Sequence, residues 1–322
     1  MSVLELQDLH VTYRSEGGPV PAVRGVSLSL ERGDTVGLAG ESGCGKSTIA
    51  AAVLRLLPKG TEVSGKVLLD GEDVYAMKPG RLRAVRWTSA AIVFQGALHS
   101  LNPVRRVGNQ IEEAILLHTA VSPRAARTRT GELLVKVGLP ADRAQRYPHQ
   151  LSGGQRQRVL IALALACDPK VLIADEPTTA LDVMVQAQVL ALLEELQREQ
   201  GLSLLFITHD LSVLTTTCER LAVMYAGRIV EQGPGREVFA QPHHPYTRAL
   251  AAAFPTIGDP ASRMNPAGLA GDPPDPSALP SGCPFHVRCA VATAECSSLD
   301  VGLRVAAPGR SAACVHVEAA HV

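Results

Sequence analysis

The glycine-rich segment GESGCGKST, at residues 40–48, holds the first residues whose types and spacing could do chemistry. In this P-loop pattern, backbone N–H groups turn inward around phosphates, and the positive end of a helix dipole points at them. The lysine reaches the β- and γ-phosphates, and the serine that follows it ligates magnesium. The pattern predicts a phosphate-binding site, and a glycine-rich turn that binds nothing is the alternative. The predicted residues are Gly40, Ser42, Gly43, Cys44, Gly45, Lys46, Ser47 and Thr48.

Two successive acidic residues end an apolar run in the segment VLIADEPTTALD, at residues 171–182. Asp175, at the end of a buried strand, is placed to hold magnesium through water. Glu176 lies beyond the strand, where a carboxylate can accept a proton from attacking water. A strand end with two solvated acids is the alternative, but the P-loop in the same chain favours phosphate chemistry.

A second anion-binding pattern lies between these motifs, in LSGGQRQR at residues 151–158. A serine precedes two glycines that expose backbone N–H groups, and a helical run follows, so the segment predicts another helix N-terminus suited to an anion. The residues concerned are Ser152, Gly153, Gly154 and Gln155. Since a plain P-loop enzyme needs one such feature, the second requires an explanation.

Four of the seven cysteines fall near the C-terminus, separated by five, six and seventeen residues: Cys283, Cys289, Cys296 and Cys314. Four thiolates are enough to close a metal site. Structural zinc sites usually use pairs two to four residues apart, so these spacings do not signal zinc. An iron–sulfur cluster also needs four cysteines and tolerates wider spacings. Unligated reduced thiols are the third alternative.

Short β-branched runs alternate with longer periodic runs in the elements that must position these residues. We predict strands at Val26–Leu30, Thr35–Ala39, Val67–Asp70, Ala91–Phe94, Val171–Asp175 and Leu204–Thr208. A helix is predicted at Thr48–Leu57, and apolar residues recur at helical spacing from Val185 to Leu196. The order strand, helix, strand favours an α/β fold with a parallel sheet covered by helices.

Two stretches depart from this alternation. Residues 104–165 lack strand signals and predict a helical insert, in which Ser122 caps a helix with Pro123 in its first turn. Residues 254–280 are rich in proline and predict a linker before residues 281–322.

Composition limits the function classes. The 322 residues carry 31 basic and 31 acidic side chains, so no global field attracts nucleic acid. The N-terminus lacks the pattern of a signal peptide, and the longest apolar run, residues 159–167, is far shorter than the roughly 20 residues of a membrane span. We therefore expect a soluble cytosolic chain with reduced thiols.

With these motifs in order, residues 1–253 resemble the nucleotide-binding subunit of ABC transporters, in which LSGGQ is the signature motif. The resemblance implies a P-loop ABC ATPase domain with a parallel core sheet, an antiparallel β subdomain and the helical insert. It also implies that two such domains pair head to tail, with each ATP between the P-loop of one and the signature of the other. This pairing accounts for the second anion-binding pattern.

The same resemblance assigns roles to four further residues. Tyr13 matches the aromatic that stacks on adenine, and Gln95 matches the Q-loop glutamine near magnesium and the attacking water. Asp182 matches the D-loop, and His209 matches the switch histidine at the γ-phosphate. The implied magnesium ligands are Ser47, Gln95 and Asp175, and the implied catalytic residues are Glu176, His209 and Gln95.

Longer strings resemble the ATPases of dipeptide and oligopeptide importers, among them RYPHQLSGGQRQRV and QPHHPYTRAL. This resemblance implies a peripheral ATPase at the cytoplasmic face of the membrane. The implied partners are two permease subunits, a second similar ATPase or a second copy of this chain, and, indirectly, an extracytoplasmic substrate-binding protein. Nickel importers belong to the same family and remain an alternative, as does a soluble ABC ATPase outside transport. Gly96 departs from the acidic residue that usually follows the Q-loop glutamine.

Residues 281–322 resemble the C-terminal extension of these ATPases, which in some members binds a 4Fe-4S cluster through four cysteines. The implied ligands are Cys283, Cys289, Cys296 and Cys314, with zinc as the alternative metal. The segment RSAACVHVE departs from the family, which commonly has a histidine shortly before the final cysteine. Cys314 is therefore the least well matched ligand, and His286 or His316 could replace it.

Overall fold

The computed structural model of the chain describes residues 2–94, 100–179, 181–253, 269 and 271–317. Backbone proximity divides the chain into two units. The first unit contains Met1–Leu4, Ser29–Asp34 and Leu68–Leu205. The second contains Glu5–Leu28, Thr35–Val67 and Phe206–Val322. Each unit is therefore assembled from segments that are distant in the sequence.

Most residues of two long N-terminal strands belong to the second unit. Strands β1 (Ser2–Ser15) and β2 (Gly18–Glu31) pair with each other, and β1 also pairs with β4 (Glu62–Leu69). Leu6, Leu9 and Val11 of β1 are buried, so the strand presents an apolar face to the core of the unit. The prediction of a strand at Val26–Leu30 found only the end of β2, because the earlier part of β2 carries Gly18 and Pro21, which weaken a strand signal.

A second sheet in this unit positions the P-loop. Strand β3 (Thr35–Ala39) is buried throughout and runs parallel to β9 (Arg220–Tyr225), which pairs antiparallel with β10 (Arg228–Pro234). The sheet continues through β12 (Arg310–Ala312) to β11 (Arg304–Ala307). The described part of the C-terminal extension thus adds two strands to the edge of this sheet. The helices of the unit are α1 (Lys46–Val53), α7 (Leu211–Thr217), α8 (Gly235–Ala240) and α9 (Pro245–Ala252).

The first unit contains a parallel strand pair and several of the described helices. Strand β6 (Ala90–Val93) runs parallel to β7 (Val171–Asp175), and β5 (Glu72–Asp73) pairs with the end of β4. Strand β8 (Ser203–Thr208) begins in this unit and ends in the other. The helices are α2 (Pro79–Val85), α3 (Val107–His118), α4 (Pro123–Lys136), α5 (Gly153–Ala164) and α6 (Val183–Gln200). Short 3₁₀ turns lie at Ala141–Gln145 and Pro148–Gln150.

Several predicted elements are found at their predicted places. The bounds of β3 and β7 agree with the prediction, and the Ser122 hydroxyl accepts a hydrogen bond from the Ala125 N–H at the start of α4. On α6, the predicted apolar stripe is buried at Val189, Leu192, Leu193 and Leu196. The α/β fold is therefore confirmed, and α3, α4 and α5 lie within residues 104–165.

The prediction for the first helix was wrong at both ends. Helix α1 begins at Lys46, directly after Gly45, whose φ of 105° places it in the left-handed region. It ends at Val53, because Arg55 also has a positive φ, of 51°, and the chain leaves the helical path before Pro58. The early start places the backbone N–H groups of Lys46 and Ser47 in the first helical turn, beside the loop.

Candidate functional site

The P-loop connects the end of β3 to the start of α1 in the second unit. Three of its glycines, Gly40, Gly43 and Gly45, have positive φ values of 150°, 80° and 105°. A Cβ on Gly40 would lie 2.3 Å from the Met224 carbonyl oxygen, and one on Gly45 would lie 2.2 Å from the Ala22 carbonyl oxygen. These positions therefore require glycine for close backbone approach as well as for conformation.

Lys46 holds this loop around its ammonium group. The side chain is 5% exposed, and Nζ donates hydrogen bonds to the carbonyl oxygens of Gly40, at 2.7 Å, and Glu41, at 2.9 Å. The Cys44 Sγ lies 3.7 Å from Nζ, and burial raises the pKa of this thiol although the ammonium opposes the shift. The loop therefore surrounds one fixed positive charge, beside the N-terminus of a helix, which is an arrangement that binds anionic phosphate.

The outer surface of the loop is open to solvent. Ser42, Gly43 and Ser47 are exposed, while Cys44 is buried. The predicted adenine-stacking residue, Tyr13 of β1, lies beside helix α1, since its hydroxyl donates a 3.1 Å hydrogen bond to the Thr48 hydroxyl. The second unit therefore brings Tyr13 and the predicted phosphate-binding residues together.

His209 follows β8 in the second unit and is exposed. The next residue, Asp210, caps α7, because its carboxylate accepts hydrogen bonds from the backbone N–H groups of Ser212, at 2.9 Å, and Val213, at 3.3 Å. The cap fixes the start of the helix and with it the backbone next to the predicted switch histidine.

The two successive carboxylates lie at the end of β7 in the first unit. Asp175 is 4% exposed, and Glu176 has a φ of 48°, in the left-handed region that non-glycine residues rarely adopt. The Thr179 hydroxyl donates a hydrogen bond to the Glu176 carboxylate. Backbone strain of this kind tends to cluster at functional sites, and here it fixes the direction in which the chain leaves the strand.

The signature segment begins α5, also in the first unit. The Ser152 hydroxyl accepts a hydrogen bond from the Gln155 N–H, and the Gln155 side chain accepts one from the Ser152 N–H at 3.1 Å, which forms a capping box. Gly154 packs so closely on α6 that a Cβ there would lie 2.3 Å from Cγ1 of Val185. Asp182, the predicted D-loop residue, caps α6 by accepting a 3.0 Å hydrogen bond from the Val185 N–H. The signature and D-loop segments therefore share one packed contact.

One predicted catalytic residue, Gln95, lies outside the described residues, as does Gly96 beside it. Of the predicted linker at 254–280, only residue 269 and residues 271–280 are described, and they contain neither helix nor strand.

The four C-terminal cysteines line one small cavity of about 20 Å³, together with His244, His286 and His316. All four are free thiols, with Cys296 and Cys314 buried and Cys283 and Cys289 half-buried. Burial raises the pKa of Cys283, Cys289 and Cys314, and the neighbouring cysteines add to each shift. Within the described ranges, no three His, Cys, Asp or Glu side chains form a group that is already arranged around a metal ion.

Both histidines named as substitute ligands already use one ring nitrogen. Nδ1 of His286 lies 2.9 Å from the Cys283 carbonyl oxygen, and Nε2 of His316 lies 2.9 Å from the Val291 carbonyl oxygen. In each ring, one nitrogen is therefore turned toward the backbone.

Sequence reasoning missed an arginine that contacts the P-loop. Arg288, next to Cys289, donates hydrogen bonds from its two terminal nitrogens to the two carboxylate oxygens of Glu41, at 2.7 and 2.9 Å. The two residues are 247 positions apart, and no local pattern connects them.

Among the described helices, none is both long and apolar enough to cross a membrane.

Comparison with known proteins identifies families and structures that this chain resembles. The family model described as ABC transporter matches residues 23–179, and the one described as oligopeptide/dipeptide transporter, C-terminal region, matches residues 230–296. The dimeric structure of MJ0796, a bacterial ABC transporter cassette, is 30% identical, with a TM-score of 0.65, and the match covers 72% of this chain and 99% of that one. A second structure of MJ0796, at 31% identity, is a post-hydrolysis state bound to ADP and Pi. The predicted ABC ATPase fold is confirmed.

Two relatives match over most of their length. The dipeptide transport ATP-binding protein DppD of Bacillus subtilis is 44% identical, and the match covers 89% of this chain and 86% of the relative. The oligopeptide transport ATP-binding protein OppD of Salmonella typhimurium is 42% identical, with 97% and 93% covered. The chain belongs to the family of ATP-binding subunits of peptide ABC transporters.

Proposed function

We propose that the P-loop of the second unit binds the triphosphate of ATP and that Tyr13 stacks on its adenine. The backbone of residues 40–48 and the ammonium of Lys46 contact the phosphates, with Ser42, Gly43, Cys44 and Thr48 contributing from the loop and helix α1. The single observation that carries this proposal is the buried Lys46, whose Nζ bonds to the Gly40 and Glu41 carbonyl oxygens and so places one cation at a helix N-terminus.

In the proposed reaction, Ser47, Asp175 and Gln95 would hold magnesium, and the metal would supply positive charge to neutralise the phosphates. Glu176 accepts a proton from the attacking water as the water's oxygen bonds to the γ-phosphorus and the bond to the bridging oxygen of ADP breaks. His209 orients the water at the γ-phosphate. Since Glu176 is fixed by its left-handed backbone and by Thr179, its carboxylate can act without reorganisation.

The catalytic site is proposed to be completed by a partner ATPase subunit. Ser152, Gly153, Gly154 and Gln155 of each subunit contact the ATP held by the P-loop of the other, and Asp182 transmits changes between the two sites. The capping box favours this role, because it fixes the N-terminal N–H groups of α5 in one orientation. ATP binding then closes the pair and hydrolysis reopens it. The partner is proposed to be a second, similar ATPase rather than a second copy.

Exchange of Glu176 for glutamine tests this mechanism in the complex assembled with the membrane subunits. Glu176→Gln should lower steady-state ATP hydrolysis about 100-fold or more while ATP binding is retained. The exposed Glu195, on α6, supplies the matched control, and Glu195→Gln should leave the rate unchanged. An unchanged rate in Glu176→Gln would refute the general-base role. Loss of ATP binding in Lys46→Ala checks the P-loop assignment separately.

We further propose that hydrolysis drives the import of di- or oligopeptides. The two relatives, a dipeptide and an oligopeptide transport protein, favour a peptide over nickel, the alternative substrate. The chain would act as a peripheral subunit at the cytoplasmic face of the membrane, beneath two permease subunits that receive peptide from an external binding protein. Residues 1–253 are the proposed ATPase domain, residues 254–280 the linker and residues 281–322 the extension.

Uptake by the complete transporter in vesicles separates these substrates. Labelled di- and oligopeptides should accumulate when ATP is supplied on the side of the ATPase, and the Glu176→Gln complex should accumulate neither. Accumulation of nickel without peptide would assign the chain to the metal-importing branch.

We also propose that Cys283, Cys289, Cys296 and Cys314 bind a 4Fe-4S cluster, with zinc as the alternative. The donor set is chemically suitable, because four free thiols line one cavity. Binding would require the thiols to lose their protons and to converge further, since burial raises three of their pKa values and they do not yet form a metal-binding group. When bound, the cluster would supply a covalent cross-link for a segment with little apolar core.

Metal analysis of anaerobically purified protein tests the cluster. We expect about four iron atoms and four acid-labile sulfides per chain, as a 4Fe-4S cluster holds. Cys289→Ser should lose both, whereas Cys167→Ala, at a buried cysteine of the first unit, should keep them. Stoichiometric zinc without iron would overturn the cluster in favour of the alternative metal.

A further inference from the structure

The second unit contains an ion pair between its C-terminal extension and its P-loop. The Arg288 guanidinium and the Glu41 carboxylate meet through two hydrogen bonds of 2.7 and 2.9 Å. The arginine side chain is 4% exposed and the glutamate side chain 21%. Two parallel charge-assisted bonds define the orientation of both groups, and low exposure protects them from screening by solvent.

An aromatic cluster surrounds this pair. Arg288 also donates a 3.3 Å hydrogen bond to the Tyr225 hydroxyl, and the Tyr246 hydroxyl accepts a 2.9 Å hydrogen bond from the Glu41 backbone N–H. The rings of Tyr225 and Tyr246 lie 4.5 Å apart, and Phe285 of the extension packs edge-on against both. The extension therefore holds the side chain of Glu41, and α9 holds its backbone N–H.

Glu41 connects this cluster to the lysine of the P-loop. Its carbonyl oxygen accepts the 2.9 Å hydrogen bond from Lys46 Nζ, while its carboxylate accepts both bonds from Arg288. Glu41 therefore affects the site in two ways. Its backbone carbonyl contacts the lysine, and its carboxylate places a negative charge beside the predicted triphosphate site. Without Arg288, that charge would be uncompensated and would oppose an anionic ligand.

The extension is anchored independently of this contact. Strand β12 pairs with β10, with Glu231 opposite Ala312, and Arg310 forms a buried ion pair with Glu231 at 3.2 Å. These contacts lie outside the P-loop and hold the extension on the sheet. Arg288 is therefore delivered to Glu41 by a segment whose attachment does not depend on Glu41.

We propose that Arg288 is a positioning residue of the ATP site, which makes the C-terminal extension a determinant of ATP affinity. The proposal rests on the proposed function of the P-loop as the ATP site. Arg288 acts by compensating the charge of Glu41 and by fixing the loop backbone that surrounds Lys46. The effect is on ATP binding, because Arg288 donates hydrogen bonds to Glu41 of the P-loop, whose carbonyl oxygen contacts Lys46.

Binding of ATP to the full-length protein tests this proposal, with displacement of a fluorescent ATP analogue as the readout. Arg288→Gln should weaken ATP binding about tenfold, which corresponds to ~1.4 kcal/mol. In the complex assembled with the membrane subunits it should raise KM by a similar factor with little change in kcat. Arg288→Lys should recover part of the affinity, since it keeps the charge but loses the two-point contact.

The double variant separates charge compensation from a structural defect. Glu41→Gln together with Arg288→Gln should bind ATP more tightly than Arg288→Gln alone, because the uncompensated carboxylate is gone. Additive losses in the double variant would overturn the proposal. Tyr246→Phe gives a second measurement, since it removes only the hydroxyl that holds the Glu41 N–H and should weaken ATP binding in the same direction.

Two controls keep the outcomes distinct. Arg304→Gln changes an exposed arginine of the same extension and should leave ATP affinity unchanged. Lys46→Ala should abolish binding, and if it does not, the proposed function of the P-loop fails rather than the role of Arg288. Wild-type affinity in a folded Arg288→Gln protein, with binding lost in Lys46→Ala, would contradict the positioning role itself.

Discussion

The contact between Gly154 and Val185 allows a test within the signature segment of the first unit. A methyl group on Gly154 would lie 2.3 Å from Cγ1 of Val185 and 3.5 Å from its Cβ and Cγ2. Valine in a helix has one strongly preferred χ1 rotamer, so it cannot rotate away without strain. Gly153 differs, because its methyl group would lie at an ordinary 3.7 Å from Cδ2 of Leu181.

These distances predict opposite effects on the free energy of unfolding. Overpacking costs about 1–3 kcal/mol, whereas replacing glycine by alanine in a helix gains up to about 1 kcal/mol. Gly154→Ala should therefore lose about 1 kcal/mol or more, and Gly153→Ala should be neutral or gain slightly. Because the gain from helix propensity applies to both variants, the expected difference between them is the cost of overpacking, about 1–3 kcal/mol.

Denaturant unfolding of the purified chain is the suitable assay, because both glycines belong to the proposed signature and activity would respond to either change. Val185→Ala should remove the obstructing methyl groups and recover the stability lost in Gly154→Ala. Equal stability of the two glycine variants, or no recovery on adding Val185→Ala, would refute the steric explanation.

Three further predictions have defined outcomes. Arg310→Met should lower the free energy of unfolding by about 3 kcal/mol, because it leaves the Glu231 carboxylate buried without its cation; adding Glu231→Gln should restore part of the loss. Asp182→Ala should destabilise α6 by about 1 kcal/mol in thermal or denaturant unfolding, and Asp182→Asn should keep most of the cap; equal losses would contradict the capping role. Burial raises the pKa of Cys167 to about 11, so this thiol should be alkylated at neutral pH only after unfolding. Site-resolved mass spectrometry measures the alkylation, and rapid labelling of the native protein would contradict the burial of Cys167.

Local sequence patterns were sufficient to predict the structure where one short segment determines both conformation and chemistry. The P-loop is a buried strand, three glycines with positive φ and a helix start within a few residues, so its type could be predicted. The Ser152 cap and the two acids that end β7 are local in the same sense. For these residues, the predicted element types were found in the structure.

Contacts between distant segments could not be predicted in this way. Strand β12 completes a sheet edge provided by β10, about 80 residues earlier, and its three residues are too few for a periodic signal. No sequence pattern marks Arg288 as functional, because an arginine beside a cysteine is chemically ordinary. Its importance depends on Glu41, which the folded second unit brings within hydrogen-bonding distance.

The two ion pairs of the extension show why similar chemistry predicts different consequences. The Glu231 carboxylate accepts hydrogen bonds from the backbone N–H groups of His243 and His244, both at 2.9 Å, besides its pairing with Arg310. That carboxylate organises the chain before α9, so loss of its partner should appear as lost stability. Glu41 belongs to the P-loop itself, and its carbonyl contacts Lys46. Loss of Arg288 should therefore appear first as weaker ATP binding, because the uncompensated charge remains where the triphosphate is proposed to bind.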